Sequence, residues 1–349
     1  MSLSLPPKCS LELTNKKSLI LNIYAHNTDV GNKAAVFPLQ LLGFDVDVIN
    51  SVHFSNHTGY PSRFEGDVLN GTQLLSILSG LERNHLLHHI DHILTGYIGS
   101  ESFLRSVIQV IQTIRKNKSC RYICDPVLGD NGKFYVPLEL VDIYRTDVIP
   151  LADVITPNQF EVEQLTGIRI QSFNDAKLAC KALHSMGPRL VIITSLCFDD
   201  SLQSSSMKDS KITVLASQQQ KQQQQGKSNT SSSKDDEEDV IHQEMWCIQT
   251  PIVHGRFTGT GDLCASLILG WTAKEPNNLK GVMEKVISTM FSVIQLTHDR
   301  IDSMKRIVID EKDYDKNFDY SAEHRELRLI QSKKIIENPV ILFQAFEVK

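Results

Sequence analysis

The chain alternates short apolar runs with segments in which apolar residues recur at spacings of three and four. The first pattern predicts strands buried on both faces, and the second predicts helices that pack one side on a sheet. The predicted strands cover residues 19–25, 46–52, 92–97, 121–125, 153–156 and 190–194. The predicted helices cover residues 32–42, 74–83, 102–116, 159–166 and 175–185. This alternation predicts an α/β fold with a mostly parallel, doubly wound sheet and helices on both faces.

A polar, low-complexity segment interrupts the pattern at residues 218–239. It contains the run QQQKQQQQ and ends in an acidic run at Asp239. This composition offers little apolar surface to bury, so we expect a disordered insertion between a strand near residues 211–216 and another near 246–253. A long loop adds little entropy cost, so the sheet can stay intact. We therefore expect one domain over residues 18–349, preceded by a flexible N-terminus at residues 1–17.

Composition and charge exclude several classes of protein. Hydrophobic residues make up 41% of the 349 residues and charged residues 22%, the balance of an ordinary globular protein. The net charge is −5, so no overall basic field would attract nucleic acid or an anionic membrane. Residues 1–17 lack the apolar run of a signal peptide, and no stretch is apolar enough to span a membrane. The seven cysteines do not have the spacing of a metal site. We expect a cytosolic protein with reduced thiols and a small ligand.

The strongest candidate for chemistry is the run GRFTGTGD at residues 255–262, which a small, apolar segment follows. Gly259 and Gly261 let the backbone approach a ligand closely, and a helix that begins there points N–H groups and its positive dipole end at an anion. Asp262 lies in the first turn of that helix. It either caps the helix or acts as a general base that takes a proton from a substrate hydroxyl during phosphoryl transfer.

Polar residues also follow three of the predicted strands. Asp125 and Asp130 bracket a Pro/Gly turn, where they either share a hard cation such as Mg²⁺ or stabilise the turn. Asn158 and Glu161 have the spacing of a helix cap, with or without a further function. Thr194 ends another strand, and its hydroxyl serves either a ligand or the backbone. Because the carboxyl ends of parallel strands meet at one edge of a sheet, we expect these residues to lie near the glycine turn.

Together these runs resemble the ribokinase-like superfamily, and its pyridoxal kinase branch in particular. The motifs that carry the resemblance are DPVLGD (125–130), TPNQFE (156–161), ITS (193–195), GTGD (259–262), NSVHFSNHTGY (50–60) and LTGY (94–97). The GTGD motif is typical of the whole superfamily, whereas NSVHFSNHTGY together with DPVLGD is typical of pyridoxal kinases. The resemblance covers residues 19–346 apart from the low-complexity segment. It implies a three-layer ribokinase-like fold, a homodimer, and ATP-dependent phosphorylation of the 5′-hydroxyl of pyridoxal, pyridoxine or pyridoxamine.

The resemblance also implies a role for each matching position. The base corresponds to Asp262, and the anion hole corresponds to the amides of Gly259, Thr260 and Gly261. The positions implied for Mg²⁺ or another divalent cation are Asp125, Asp130, Thr156 and Glu161. Those implied for ATP are Asp130, Asn158, Thr194 and Thr260, with a monovalent cation, K⁺ or Na⁺, near Thr194. Those implied for the B6 vitamer are Ala25, Phe54, Thr58, Tyr97 and Asp262.

One vitamer position departs from the family pattern. Pyridoxal kinases commonly carry a Ser-His pair after the first strand, whereas this chain has Ala25 and His26, followed by a shorter loop. The serine would hydrogen-bond the pyridine ring, and losing one such bond weakens binding by about 1 kcal/mol. Tyr24, His26 and Asn27 are candidate replacement donors.

Two other functions remain open from the sequence. A superfamily kinase that acts on hydroxymethylpyrimidine or a sugar would share the GTGD motif but not the motifs around Thr58 and Tyr97. A weakly catalytic protein that binds vitamin B6 would explain Ala25 but would not need Asp262 and both glycines. His57 lies inside the matched vitamer run, where it either reaches the cavity or has a structural role.

Overall fold

The structure is a computed structural model that describes residues 17–25, 30–60, 63–198, 211–221, 241–308 and 324–348. The strands are β1 (Lys17–Ala25), β2 (Asp45–Phe54), β3 (Gly66–Val68), β4 (Ile90–Thr95), β5 (Arg121–Cys124), β6 (Gly129–Asp130), β7 (Lys133–Phe134), β8 (Val154–Ile155), β9 (Leu190–Leu196), β10 (Lys211–Lys221), β11 (Ile241–Pro251) and β12 (Phe346–Glu347). The helices are α1 (Asn32–Leu41), α2 (Gly71–Arg83), α3 (Glu101–Asn117), α4 (Glu139–Ile143), α5 (Gln159–Thr166), α6 (Phe173–Met186), α7 (Thr260–Lys274), α8 (Leu279–Val308) and α9 (Lys333–Glu337).

These strands form a central sheet in the order β12-β11-β10-β9-β8-β5-β4-β1-β2-β3. The strands from β9 to β2 pair in parallel, whereas β10, β11 and β12 extend one edge in antiparallel pairing and β3 adds an antiparallel strand at the other. The small hairpin of β6 and β7 stands apart from this sheet. The observed arrangement confirms the predicted mostly parallel α/β fold.

Two apolar clusters lie on opposite faces of the sheet and make the fold three-layered. One cluster joins the sheet to α2, α3, α5 and α6, and the other joins it to α1, α7 and α8. Neighbouring residues of β9 belong to different clusters, since Ile193 packs in the first and Ile192 in the second. Successive side chains of a strand point to opposite faces, so only a continuous apolar run fills both layers.

Helix α5 has the bounds predicted from the sequence because both of its ends carry strong local signals. The Asn158 side chain accepts the Glu161 N–H at 2.9 Å, and the Glu161 carboxylate accepts the Asn158 N–H at 2.8 Å. This reciprocal cap fixes the start of the helix. Gly167 ends it with a φ of 73°, a left-handed conformation that favours glycine.

Several short elements have no counterpart in the predicted pattern. Strands β3, β6, β7, β8 and β12 span only two or three residues each, and of these only β8 lies within a predicted strand. Two or three residues are too few to show a period, so the others left no signal in the sequence. Helix α4 continues through a π-helical turn (Tyr144–Val148) and a 3₁₀ turn (Ile149–Leu151), which also blurs a helical period.

Strand β10 extends further than the sequence pattern predicts, into the glutamine run. Gln218 pairs with Glu244 of β11 and with Leu190 of β9, and the Gln219 N–H donates to the Arg189 carbonyl at 2.9 Å. Pairing of the backbone does not require apolar side chains when neighbouring strands are already in place. The insertion predicted to begin at residue 218 therefore begins no earlier than residue 222, and residues 222–239 lie outside the described residues. Lys17, predicted to end a flexible N-terminus, is the first residue of β1.

We expect the chain to tolerate replacement of residues 222–240 by an Asn-Gly turn. Lys221 pairs with Ile241, so a two-residue hairpin turn can close the strands without changing their register. The melting temperature should change by less than about 4 °C, which calorimetry would measure. A longer replacement that also removes Gln218 and its pairing to both neighbours should lower it clearly more. Equal destabilisation by the two replacements would contradict this prediction.

The cysteines of the described ranges are free thiols, as predicted: Cys120, Cys124, Cys180, Cys197, Cys247 and Cys264. Cys9 lies outside those ranges. Within the same ranges, no helix combines the length and apolar character needed to cross a membrane.

Candidate active site

The carboxyl ends of the parallel strands are hydrogen-bonded side by side. The Asp125 N–H, just after β5, donates to the carbonyl of Thr95 at the end of β4 at 2.9 Å. The Thr156 N–H donates to the carbonyl of Cys124 at 3.1 Å, and the Thr194 N–H donates to the carbonyl of Pro157 at 3.0 Å. The predicted strand-end residues therefore share one edge of the sheet.

Asp125 is the buried carboxylate of this edge. Asp125 is only 5% exposed, and its Oδ1 accepts a hydrogen bond from the Thr156 hydroxyl at 3.1 Å. Its Oδ2 faces the glycine turn, since a Cβ placed on Gly261 would lie 3.4 Å from it. Burial and, to a lesser extent, the charge of Asp262 raise the pKa of Asp125 to about 7, against the opposing effect of the Thr156 hydrogen bond. Asp125 therefore lies beside the glycine turn that precedes Asp262.

The glycine turn opens α7 as the sequence predicts. Gly259 precedes the helix with a φ of 89°, a conformation that favours glycine. The first amides of a helix lack an intrahelical partner, and Gly259 has no side chain to bind them. This helix end, which contains Thr260 and Gly261, therefore suits an anion.

Asp262, in the first turn of α7, is fixed by a distant part of the chain. Its Oδ2 accepts the backbone N–H of Gly31 at 2.8 Å, across 231 residues of sequence. Gly31 itself has a φ of 57°, in the left-handed region. Gly31 has no predicted role in the site, and its one signal in the sequence is the VGN run at residues 30–32. The carboxylate is thus oriented toward the segment that follows β1.

Glu161 and Asn158 connect the DPVLGD turn to α5. The Glu161 carboxylate caps the helix through the Asn158 N–H and also accepts the Leu128 N–H at 3.0 Å. The Asn158 side chain donates to the Gly129 carbonyl at 2.8 Å. Burial raises the pKa of Glu161, the charge of Asp125 raises it further, and the backbone amides oppose them. The predicted capping of α5 is confirmed, and both side chains also hold the preceding turn in place.

Asp130 has a different environment from Asp125. It is exposed, and its two oxygens accept the backbone and side-chain N–H groups of Asn131, both at 2.8 Å. Asn131 has a φ of 50°, which an Asn tolerates in a tight hairpin turn. The contacts of Asp130 thus stabilise the hairpin of β6 and β7.

The described residues contain no group of three His, Cys, Asp or Glu side chains that could hold a metal ion on their own. The four positions implied for a divalent cation therefore do not form a closed cage. Asp125 nevertheless fits a cation, because its buried carboxylate faces Gly261, the residue directly before Asp262. Mg²⁺ commonly takes one or two carboxylates and completes its shell with water and substrate phosphates.

The vitamer positions lie at the ends of β1, β2 and β4. Ala25 lies opposite Phe54 in the parallel pairing of β1 and β2, while residues 26–29 lie outside the described residues, and with them the candidate donors His26 and Asn27. Phe54 is buried, and its ring packs 4.2 Å from that of Phe64, centroid to centroid. Thr58 follows in an exposed turn.

Tyr97 connects three parts of this edge. Its hydroxyl donates to the Tyr135 carbonyl at 3.5 Å, and its own carbonyl accepts the Ser51 hydroxyl at 3.0 Å. Burial raises the pKa of Tyr97, so its hydroxyl stays protonated. Thr194, implied for ATP, is half-buried, and its hydroxyl donates to the Pro157 carbonyl at 3.4 Å.

Known proteins are similar to this chain over nearly its whole length. A family model described as phosphomethylpyrimidine kinase matches residues 86–235. A pyridoxal kinase of Arabidopsis thaliana is 43% identical, covering 97% of this chain and 98% of that protein, and one of Homo sapiens is 40% identical, covering 93% and 97%. The structure of pyridoxal kinase from Leishmania donovani in complex with ADP and pyridoxamine aligns with a TM-score of 0.77 at 28% identity, covering 96% of this chain and 100% of that chain. The chain belongs to the pyridoxal kinase family.

Proposed function

We propose that this site transfers the γ-phosphoryl group of ATP to the 5′-hydroxyl of pyridoxal, pyridoxine or pyridoxamine. The relatives named pyridoxal kinase and the neighbour that holds ADP and pyridoxamine support this reaction. The observation that carries it is the carboxylate of Asp262, held by the Gly31 amide in the first turn of α7. A base and an anion-binding helix end within one turn suit the deprotonation of a hydroxyl beside a phosphoryl group.

In this reaction Asp262 accepts the proton of the vitamer hydroxyl. The hydrogen bond from Gly31 fixes the carboxylate, so its reacting oxygen does not have to be positioned at each turnover. The amides of Gly259, Thr260 and Gly261, together with the helix dipole, stabilise charge on the transferred group. Phosphoryl transfer relies mainly on such positioning and charge stabilisation.

A bound divalent cation such as Mg²⁺ would neutralise charge on the ATP phosphates. Asp125 would hold it, with the Thr156 hydroxyl fixing the carboxylate and with Glu161 and Asn158 fixing the turn that follows. We propose roles in ATP binding for Asp130, Asn158, Thr194 and Thr260, and a monovalent cation, K⁺ or Na⁺, near Thr194. We also propose a cytosolic homodimer, on the family resemblance; light scattering of the purified protein tests the dimer.

The match to the phosphomethylpyrimidine kinase model favours one alternative substrate, hydroxymethylpyrimidine. Steady-state assays with ATP and pyridoxal, hydroxymethylpyrimidine or ribose compare the candidates directly. We expect kcat/KM for pyridoxal to exceed the others by at least about 100-fold, because a site that hydrogen-bonds one substrate rejects analogues that leave its polar groups unpaired. A higher kcat/KM for hydroxymethylpyrimidine would replace the proposal.

Ala25→Ser should strengthen vitamer binding. A hydroxyl at the end of β1 would restore the bond to the pyridine ring that the family's serine implies, a contribution of about 0.5–1.5 kcal/mol. The KM for pyridoxal should fall by a few-fold to roughly tenfold, with kcat and the KM for ATP unchanged. Ala25→Cys is the matched control, since it adds an atom of similar position but only a weak donor. Unchanged or weaker binding by the serine variant would show that another group already serves the ring.

A further inference from the structure

The chain segment at residues 324–329 is attached to the glycine turn. The Thr258 N–H donates to the Arg325 carbonyl at 3.0 Å, and Thr258 forms a parallel bridge with Glu326. Leu327 and Leu329 are buried in the cluster that packs α1 and α7 on the sheet, which anchors the segment. Because Thr258 directly precedes Gly259, the backbone of Glu326 is fixed relative to the start of α7.

The side chain of Glu326 contacts the vitamer run on the other side. Its Oε1 accepts the Tyr60 hydroxyl at 2.8 Å and lies 3.7 Å from His57 Nε2. The side chains of His57 and Glu326 are only 8% and 11% exposed, so water competes little for these contacts. Glu326 lies 266 residues from Tyr60 in the sequence, and sequence reasoning did not identify it.

His57 Nε2 faces Glu326, but the 3.7 Å between Nε2 and Oε1 is too long for a hydrogen bond. The Gly59 N–H donates to His57 Nδ1 at 3.0 Å, so in the neutral ring the proton resides on Nε2. Burial lowers the pKa of His57, and the charge of Arg325 lowers it further, so the ring is neutral at pH 7. The rings of His57 and Tyr60 are 4.8 Å apart, centroid to centroid, and the Tyr60 N–H donates to the His57 carbonyl at 3.4 Å, which closes the turn that contains Thr58. The structural interpretation of His57 is thereby favoured over direct contact with the cavity.

We propose that Glu326 is a positioning residue that holds the turn of His57, Thr58 and Tyr60 at a fixed distance from the glycine turn of Asp262. This inference rests on the proposed function, in which Thr58 binds the vitamer and Asp262 receives the proton of its hydroxyl. The side chain of Glu326 then links Thr58, which binds the vitamer, to Asp262, which reacts with its hydroxyl. Small errors in that spacing weaken both binding and reaction geometry.

The test uses the full-length protein and its kinetics with pyridoxal and ATP. Glu326→Ala should raise the KM for pyridoxal roughly tenfold, equivalent to about 1.4 kcal/mol, and leave the KM for ATP within about twofold. Glu326→Gln keeps an oxygen that can accept the Tyr60 hydroxyl, so it should restore the KM to within about twofold of the wild type. Adding Tyr60→Phe to Glu326→Ala should raise the KM no further, because the two groups act as one contact.

A matched control is Glu284→Ala on α8. The Glu284 carboxylate is 15% exposed and accepts the Ala345 N–H at 3.0 Å, so it too anchors the C-terminal part of the chain, but at a position with no link to the glycine turn. This variant should lower the melting temperature without changing either KM. A Glu326→Ala variant that behaves like Glu284→Ala, or that raises both KM values equally, would overturn the positioning role.

The two proposals fail in different ways. A wild-type protein that does not phosphorylate pyridoxal would refute the proposed function. An active wild type, an inactive Asp262→Asn variant and an unchanged KM for pyridoxal in Glu326→Ala would refute only the role of Glu326. Equilibrium dialysis of pyridoxal against the variants gives the same comparison without turnover, and there Glu326→Ala should bind roughly tenfold more weakly.

Discussion

The Asp262→Asn variant should fold, bind ATP and lose turnover by about 10²- to 10⁴-fold. The amide oxygen of Asn can still accept the Gly31 N–H that fixes the native carboxylate, so the start of α7 keeps its geometry. The amide cannot accept the proton of the vitamer hydroxyl. The loss should therefore appear in kcat, with the KM for ATP changed by less than about threefold.

Single-turnover measurements of pyridoxal phosphate formation would test this expectation. Asp142→Asn is a suitable control, because Asp142 is an exposed carboxylate on α4 that pairs with Arg145 at 3.0 Å, within the same helical segment. The control should keep normal turnover. Near-normal turnover in Asp262→Asn would instead show that the carboxylate only caps the helix.

The Asp125→Asn variant should lose activity and gain stability. Without a cation at the carboxylate, burial and the charge of Asp262 raise the pKa of Asp125 to about 7, from an ordinary value of 3.8. The folded state then binds more protons than the unfolded state between these values, so the free energy of unfolding of the metal-free wild type falls as pH rises through this window. Asn carries no charge. The variant should therefore be more stable than the wild type by on the order of 2 kcal/mol at pH 8, with little difference at pH 4.

Its turnover should fall at least about 10²-fold, and higher divalent cation concentrations should not restore it fully, because the proposed carboxylate ligand is gone. Urea denaturation at pH 4, 6 and 8 measures the stability difference, and assays across Mg²⁺ concentrations measure the activity. Saturating Mg²⁺ and ATP should also reduce the pH dependence of wild-type stability. A variant that is less stable than the wild type at pH 8 would contradict the assigned burial of charge.

Local signals account for the parts of the fold and site that the sequence predicts. The capping residues Asn158 and Glu161 define where α5 begins, and apolar runs such as that of β9 define strands that fill both cores. The position of Asp262 in the first helical turn follows from Gly259, since a glycine in a left-handed conformation directly before an apolar helix sets its start. These features depend on residues within a few positions of one another.

Contacts between distant segments account for what the sequence did not predict. The bond of Gly31 to Asp262 and the bond of Tyr60 to Glu326 join residues more than 230 positions apart, and a single sequence has no period or spacing that links them. Gln218 lies in a polar run whose composition indicates a loop. Strands β9 and β11 nevertheless provide backbone partners on both sides of it, and β10 extends through this residue. Tertiary context decides these positions, because the local preference is weak.

The end of β10 and the start of β11 lie at the edge of the sheet opposite the candidate active site. Gln218 pairs with Leu190, the first residue of β9, so β10 finishes at the amino ends of the parallel strands. Strand β11 returns from there to Pro251, which pairs with Lys211 at the start of β10. Lys221 and Ile241 therefore lie at the edge of the sheet opposite Asp125 and Asp262. We therefore expect that an affinity tag or a fluorescent reporter inserted between these two residues leaves turnover unchanged.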